Sequence, residues 1–85
     1  MKYEVVWGPR AEDMLANSWL TAEDPNAVTE SAAWFDSQLS RNPLYLGESR
    51  ESSVHRVAYH PPIGIEFEVI EDDKRVIVQG VFEAH

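Results

Sequence analysis

The last third of the chain limits the fold more than any other stretch. Three apolar runs, about Val54–Tyr59, Ile63–Ile70 and Arg75–Phe82, are separated by His60-Pro61-Pro62 and Glu71-Asp72-Asp73-Lys74. Period-two alternation of β-branched and aromatic residues predicts half-buried strands, and short breaks of this composition predict tight turns between antiparallel neighbours. A meander of this kind needs its apolar face covered, and the residues before it must supply the cover.

Those residues read as one strand and two helices. Lys2–Trp7 is short and β-rich, with Tyr3, Val5 and Trp7 on one face, and Gly8-Pro9 stops it. Pro9 suits a first helical turn, and Ala11, Met14, Leu15, Ser18 and Trp19 follow at helical spacing. Thr21–Pro25 breaks the pattern. Asp24 is a good N-cap with Pro25 at the first helical position, and Val28, Ala32, Phe35 and Leu39 form the stripe of a second helix. Pro43 ends that helix near Asn42. The order β-α-α-β-β-β predicts an α+β fold, with a helical hairpin packed on one face of a small antiparallel sheet. No repeat or linker interrupts it, so residues 1–85 form a single domain. At this length about 64% of the unfolded chain's surface is buried, enough for one modest core.

Alternation also predicts register. Pairing Ile70 with Arg75 sets Val69 opposite Val76, Phe67 opposite Val78, Ile65 opposite Gly80 and Ile63 opposite Phe82. A three-residue turn at His60–Pro62 pairs Tyr59 with Ile63 and Val57 with Ile65, on the same core face. Arg56 then lies across from Glu66, and the outer face carries the row Arg56–Glu66–Gln79 beside Val54–Glu68–Ile77.

Composition narrows the chemistry. The chain has no cysteine, which removes disulfides, thiolate metal sites and a cysteine nucleophile. No apolar run approaches the 18 or so residues of a membrane span, and the opening segment lacks a secretory signal's apolar stretch, so a cytoplasmic protein without membrane association is expected. The net charge is −8, from 7 basic and 15 acidic side chains. That balance disfavours direct nucleic-acid binding, which depends on neutralising phosphates. Only the middle stretch, with Arg41, Arg50 and Arg56 against Glu48 and Glu51, can present a locally positive patch.

The histidines His55, His60 and His85 have no metal-ligand spacing, and neither a metal nor another cofactor is expected. Glu66 and Glu68 share a strand face, but a small sheet–helix domain has little material for the cleft a paired-carboxylate hydrolase needs. Glu71-Asp72-Asp73 lacks the glycine and later glutamate of a calcium loop and reads as a turn. Trp7 and Trp19 fall at core positions. Trp34 lies beside its helix's stripe, which makes it the candidate for an exposed contact surface.

The element order resembles the RelE/ParE superfamily, the toxins of type II toxin–antitoxin modules. The likeness covers nearly the whole chain. It rests on the opening strand with Pro9-Arg-Ala-Glu-Asp-Met-Leu15, the loop Asn42-Pro-Leu-Tyr-Leu-Gly47, Arg56 entering the next strand, and the closing run Ile65–Val78. The resemblance implies a toxin-like component, neutralised by a cognate antitoxin, acting on mRNA translation at the ribosome or on DNA gyrase, and linked to plasmid stabilisation. An active member of the first kind is a ribosome-dependent mRNA endoribonuclease, whose basic side chains bind the backbone and stabilise charge on phosphorus while a Tyr or His protonates the leaving oxygen. Arg56 and His85 are the catalytic candidates on that basis, and Arg50, Trp34, Glu66 and Gln79 the binding candidates. The sequence departs from the family where an Arg commonly precedes an aromatic or aliphatic residue and Glu66-Phe67 stands instead. Two alternatives stay open: a catalytically inactive protein-binding module of the same fold, and an unrelated small α+β domain. Arg56 itself reads either as a phosphate contact or as a cross-strand partner of Glu66, and Arg50 either as a contact or as a solvated loop residue. Charge complementarity predicts that the antitoxin's segment is neutral or basic and lies across the helical hairpin or the outer sheet face.

Overall fold

Each helix begins where a proline permits it. In the computed structural model, which describes residues 2–46, 48–49 and 55–84, α1 (Pro9–Thr21) follows Gly8 and α2 (Pro25–Arg41) follows Asp24. The Asp24 carboxylate accepts a hydrogen bond from the Ala27 N–H at 3.3 Å, which satisfies one of the orphan donors of the first turn. A short 3-10 turn (Pro43–Tyr45) then leads to five strands in all: β1 (Glu4–Trp7), β2 (Glu48–Ser49), β3 (His55–His60), β4 (Ile63–Ile70) and β5 (Arg75–Glu83).

The sheet runs in the order β1-β5-β4-β3-β2. The α+β class and the hairpin-on-sheet arrangement hold, and the first strand makes the sheet mixed. β1 lies parallel to β5, with Glu4 opposite Arg75 and Trp7 opposite Val78. Across that pair Arg75 Nε donates to Glu4 Oε1 at 3.0 Å, and the Gly8 N–H continues the ladder to the Val78 carbonyl at 2.9 Å. The other pairings are antiparallel.

Both registers depart from strict alternation. On β4 and β5 the pairs from Ile70–Arg75 to Phe67–Val78 stand as the alternation predicts. A bulge between Glu66 and Phe67 then sets Glu66 opposite Gly80, so Ile65 meets Val81 rather than Gly80, and Ile63 meets Glu83 rather than Phe82. Gln79 is the extra residue of β5, one more than the partner strand can match. Between β3 and β4 the turn uses two residues, Pro61 and Pro62, instead of three. His60 therefore pairs with Ile63, and the whole strand slips by one: Tyr59 faces Gly64, Ala58 faces Ile65, and Arg56 faces Phe67. A one-residue slip sends every side chain to the opposite face. Tyr59, expected on the core face, is 61% exposed on the outer one, and Ala58 takes its place in the core.

The core lies between the helices and the inner face of the sheet. Val28, Phe35 and Leu39 of α2 pack over Ile63, Ile65, Phe67, Val69, Val76 and Val78. Ser31, rather than Ala32, completes the buried line of α2, and its Oγ donates to the Pro61 carbonyl at 3.0 Å. That bond removes the penalty of a buried hydroxyl and fastens the helix to the β3–β4 turn. On α1 only Ala11 is fully buried, with Met14 and Leu15 packed at the core's edge. Trp19, expected in the core, is 46% exposed. The helix lies against β5 through its Ala11 and Met14 side, which turns the Trp19 position toward solvent.

Candidate functional site

The slip of β3 moves Arg56 off the outer face. It shares a parity with Ala58 and His60, and its cross-strand partner is the buried Phe67. Half-buried at the helix-side margin of the sheet, it donates from Nε to the Leu46 carbonyl at 2.9 Å. The cross-strand pair with Glu66 is therefore overturned, because the two-residue turn places the two side chains on opposite faces. Arg56 instead fastens the loop after α2, whose Leu44 and Tyr45 are exposed, to the sheet. A charge-assisted bond to a backbone carbonyl is a positioning device.

The outer face keeps a polar row, displaced by one residue. Gln79 Nε2 donates to Glu68 Oε1 at 3.2 Å, while His55 Nε2 lies 3.8 Å from Glu68 Oε2. The row is therefore His55–Glu68–Gln79, with Ile77 opposite Glu68 as expected. Beside it Tyr59 and Phe82 meet edge to face at 5.6 Å over Gly64.

Glu66 occupies a separate cleft. Gly80 has no side chain, and a Cβ there would stand 3.9 Å from both Met14 Sδ and the Glu66 carboxyl carbon. The space the glycine leaves opens into a recess of about 420 Å³ lined by Arg10, Met14, Glu66, Gln79 and the first turn of α1. Two candidates from the sequence, Glu66 and Gln79, thus come together with Arg10, which alternation did not single out.

Trp34 is half-buried rather than a projecting contact. Its ring stacks on His60 at 4.1 Å and 14°, and meets Phe35 edge-on at 5.3 Å. The exposed apolar surface lies on the other side of the hairpin. Leu15, Ala16, Trp19 and Leu20 of α1 and Val28, Thr29 and Ala32 of α2 line an apolar groove of about 470 Å³, with Leu20 71% exposed and Glu12 at one end. The sequence signal for it is Leu20, an apolar side chain one position off the buried line of α1 (Leu15 and Trp19 sit at i and i+4). Arg50 and His85 lie outside the described residues. Among the described residues no cluster of three His, Asp or Glu side chains is placed to hold a metal ion, and no helix is long and apolar enough to cross a membrane.

A two-helix hairpin over a sheet whose first strand runs parallel to its last is the RelE/ParE toxin fold. A chain of the RelBE2 toxin–antitoxin complex from Mycobacterium tuberculosis is similar over 99% of this chain and 93% of its own, with a TM-score of 0.77 at 17% identity. A chain of the chromosomal ParDE system of P. aeruginosa is similar over 99% and 98%, with a TM-score of 0.76 at 14% identity. The isolated RelE toxin of E. coli is similar over 98% and 85%, with a TM-score of 0.68 at 14% identity. No protein-family model matches the sequence, and no curated protein sequence matches it.

Proposed function

We propose that this chain is the toxin-like component of a type II toxin–antitoxin module, held inactive by a cognate antitoxin in the cytoplasm. The observation that carries this reading is the end-to-end likeness to chains of toxin–antitoxin complexes, 99% of this chain against 93% and 98% of theirs. The exposed groove of α1 and α2 supports it from the chemistry side, since a soluble monomer of this size gains nothing by leaving Leu20 in water. The test is growth: expression alone slows it, and co-expression of the protein encoded beside this gene restores it. Unimpaired growth, with no stable complex between the two proteins, refutes the proposal.

A second reading, a binding module of the same fold without catalysis, is favoured by one specific arrangement. Arg56 turns to the helix side, and the open face of the sheet carries Glu66, Glu68 and Gln79. Carboxylates repel the phosphates of RNA and cannot stabilise the charge a cleavage transition state develops. Primer extension on translated messages separates the two readings. Cuts that appear only with this protein support action on translation, and their absence at every concentration supports the binding module.

A further inference from the structure

The groove on the hairpin identifies what kind of segment fills it. We infer that it takes an amphipathic helix of the partner protein, apolar on the inserted face and basic along the flanks. This rests on the proposed toxin–antitoxin reading for the partner's existence, but its shape and charge follow from the groove alone.

Shape comes first. The wall that α1 supplies runs from Glu12 to Leu20, about 12 Å at 1.5 Å per residue, or roughly two helical turns. Two antiparallel helices with an apolar furrow between them accept a third by ridges-into-grooves packing, read as anchors at i, i+3 or i+4, and i+7. Trp19 and Leu20 supply the exposed anchoring surface, and Ala16 and Ala32 are small enough to admit a partner side chain between them.

Charge then selects among occupants. The groove lining contains Glu12 and no cation. Glu23 and Asp24 line the adjoining recess, which shares the Val28 wall. The hairpin's two arginines lie elsewhere: Arg10 lines the cleft with Glu66, and Arg41 Nη2 is tied to Ser37 Oγ at 2.9 Å. A second copy of this chain would bring another net charge of −8 to an already acidic rim, so self-association is opposed by like-charge repulsion. Lysine or arginine flanks on a partner helix meet Glu12, Glu23 and Asp24 favourably.

The test uses two synthetic helical peptides that share one leucine–alanine face and differ only in their flanks, lysine in one and glutamate in the other. Binding is followed through the Trp19 indole N–H resonance, identified by its loss in Trp19→Phe. The lysine-flanked peptide should bind at least about tenfold more tightly at low salt, and the gap should close toward 0.5 M salt, roughly, as screening removes the rim contribution. Glu12→Lys should narrow the gap, and Leu20→Ala should weaken both peptides. Equal or tighter binding by the glutamate-flanked peptide overturns the inference. So does binding of neither peptide, binding that moves outer-face resonances and leaves Trp19 unmoved, or a dimer of this chain that broadens Trp19. Growth rescue separates the two levels. If the neighbour-encoded protein still neutralises the Leu20→Ala chain at undiminished affinity, the groove assignment fails while the module stands. If it neutralises neither chain, the module reading fails.

Discussion

Replacing Gly64 by alanine tests the register of the outer face. A Cβ at this position would lie 2.5 Å from two ring carbons of Phe82 and 3.1 Å from the Ala58 carbonyl oxygen. Carbon atoms prefer about 3.5–4.0 Å, so the ring must retreat by about 1 Å against Tyr59 and the adjacent backbone. Overpacking of this kind costs about 1–3 kcal/mol. Removing a strand glycine returns about 0.5–1 kcal/mol through the unfolded chain. The net expectation is a loss of about 1–2 kcal/mol, which for a domain of this size lowers Tm by roughly 4–16 °C. Urea denaturation followed by circular dichroism should show a lower midpoint with the same slope. In a Phe82→Leu background the same substitution should become nearly neutral, giving a coupling of about 1 kcal/mol or more between the two sites. The contact exists only because the bulge brings Phe82 opposite Gly64; strict alternation would place Val81 there. A Gly64→Ala protein as stable as the parent, or a loss unchanged by Phe82→Leu, would falsify the bulged register.

Other substitutions probe the remaining contacts. Arg56→Ala should cost about 1.5–3 kcal/mol by removing a charge-assisted bond to a carbonyl, while Glu66→Gln should be nearly silent. A double-mutant cycle between them should return a coupling near zero, and a coupling above about 0.5 kcal/mol would restore the cross-strand pair. Asp24→Ala should cost about 1 kcal/mol in chemical denaturation by uncapping α2, with Asp24→Asn close to the parent. Phe35→Ala should cost about 3–5 kcal/mol, since its ring is wholly buried, and the loss should appear in full by both fluorescence and circular dichroism. Glu4→Gln, which breaks an exposed ion pair with Arg75, should change stability by less than about 1 kcal/mol, and less still at high salt.

What the sequence revealed depended on how local the signal was. Proline after a capping residue marks both helix starts, and the acidic turn marks Ile70 opposite Arg75, because each is decided by neighbouring residues. The two-residue turn at Pro61-Pro62 was not legible, since His60 looks like turn material until its ring is seen stacked on Trp34. One residue there reversed the faces of β3, and with them the partner of Arg56. The bulge was hidden for a different reason: Gln79-Gly80 interrupts the apolar alternation, and nothing local says which residue is extra. Gln79 was placed correctly on the outer face, yet its partner is Glu68, reached only through that bulge. The two tryptophans exchanged roles because periodicity places residues around a helix but does not say which side meets the sheet. The parallel seating of β1 against β5 joins residues about seventy positions apart, beyond any window-based pattern.

That seating has a consequence for the order in which the molecule can form. A ribosome delivers Val5 and Trp7 first, but the backbone groups they need belong to Val76 and Val78, among the last to emerge. Until then the early strand has no ladder to join, and the helices have no finished surface to lie on. Structure therefore arrives late and nearly all at once, so a nascent chain stalled before Arg75 is an open polypeptide, however much of its sequence has already been made.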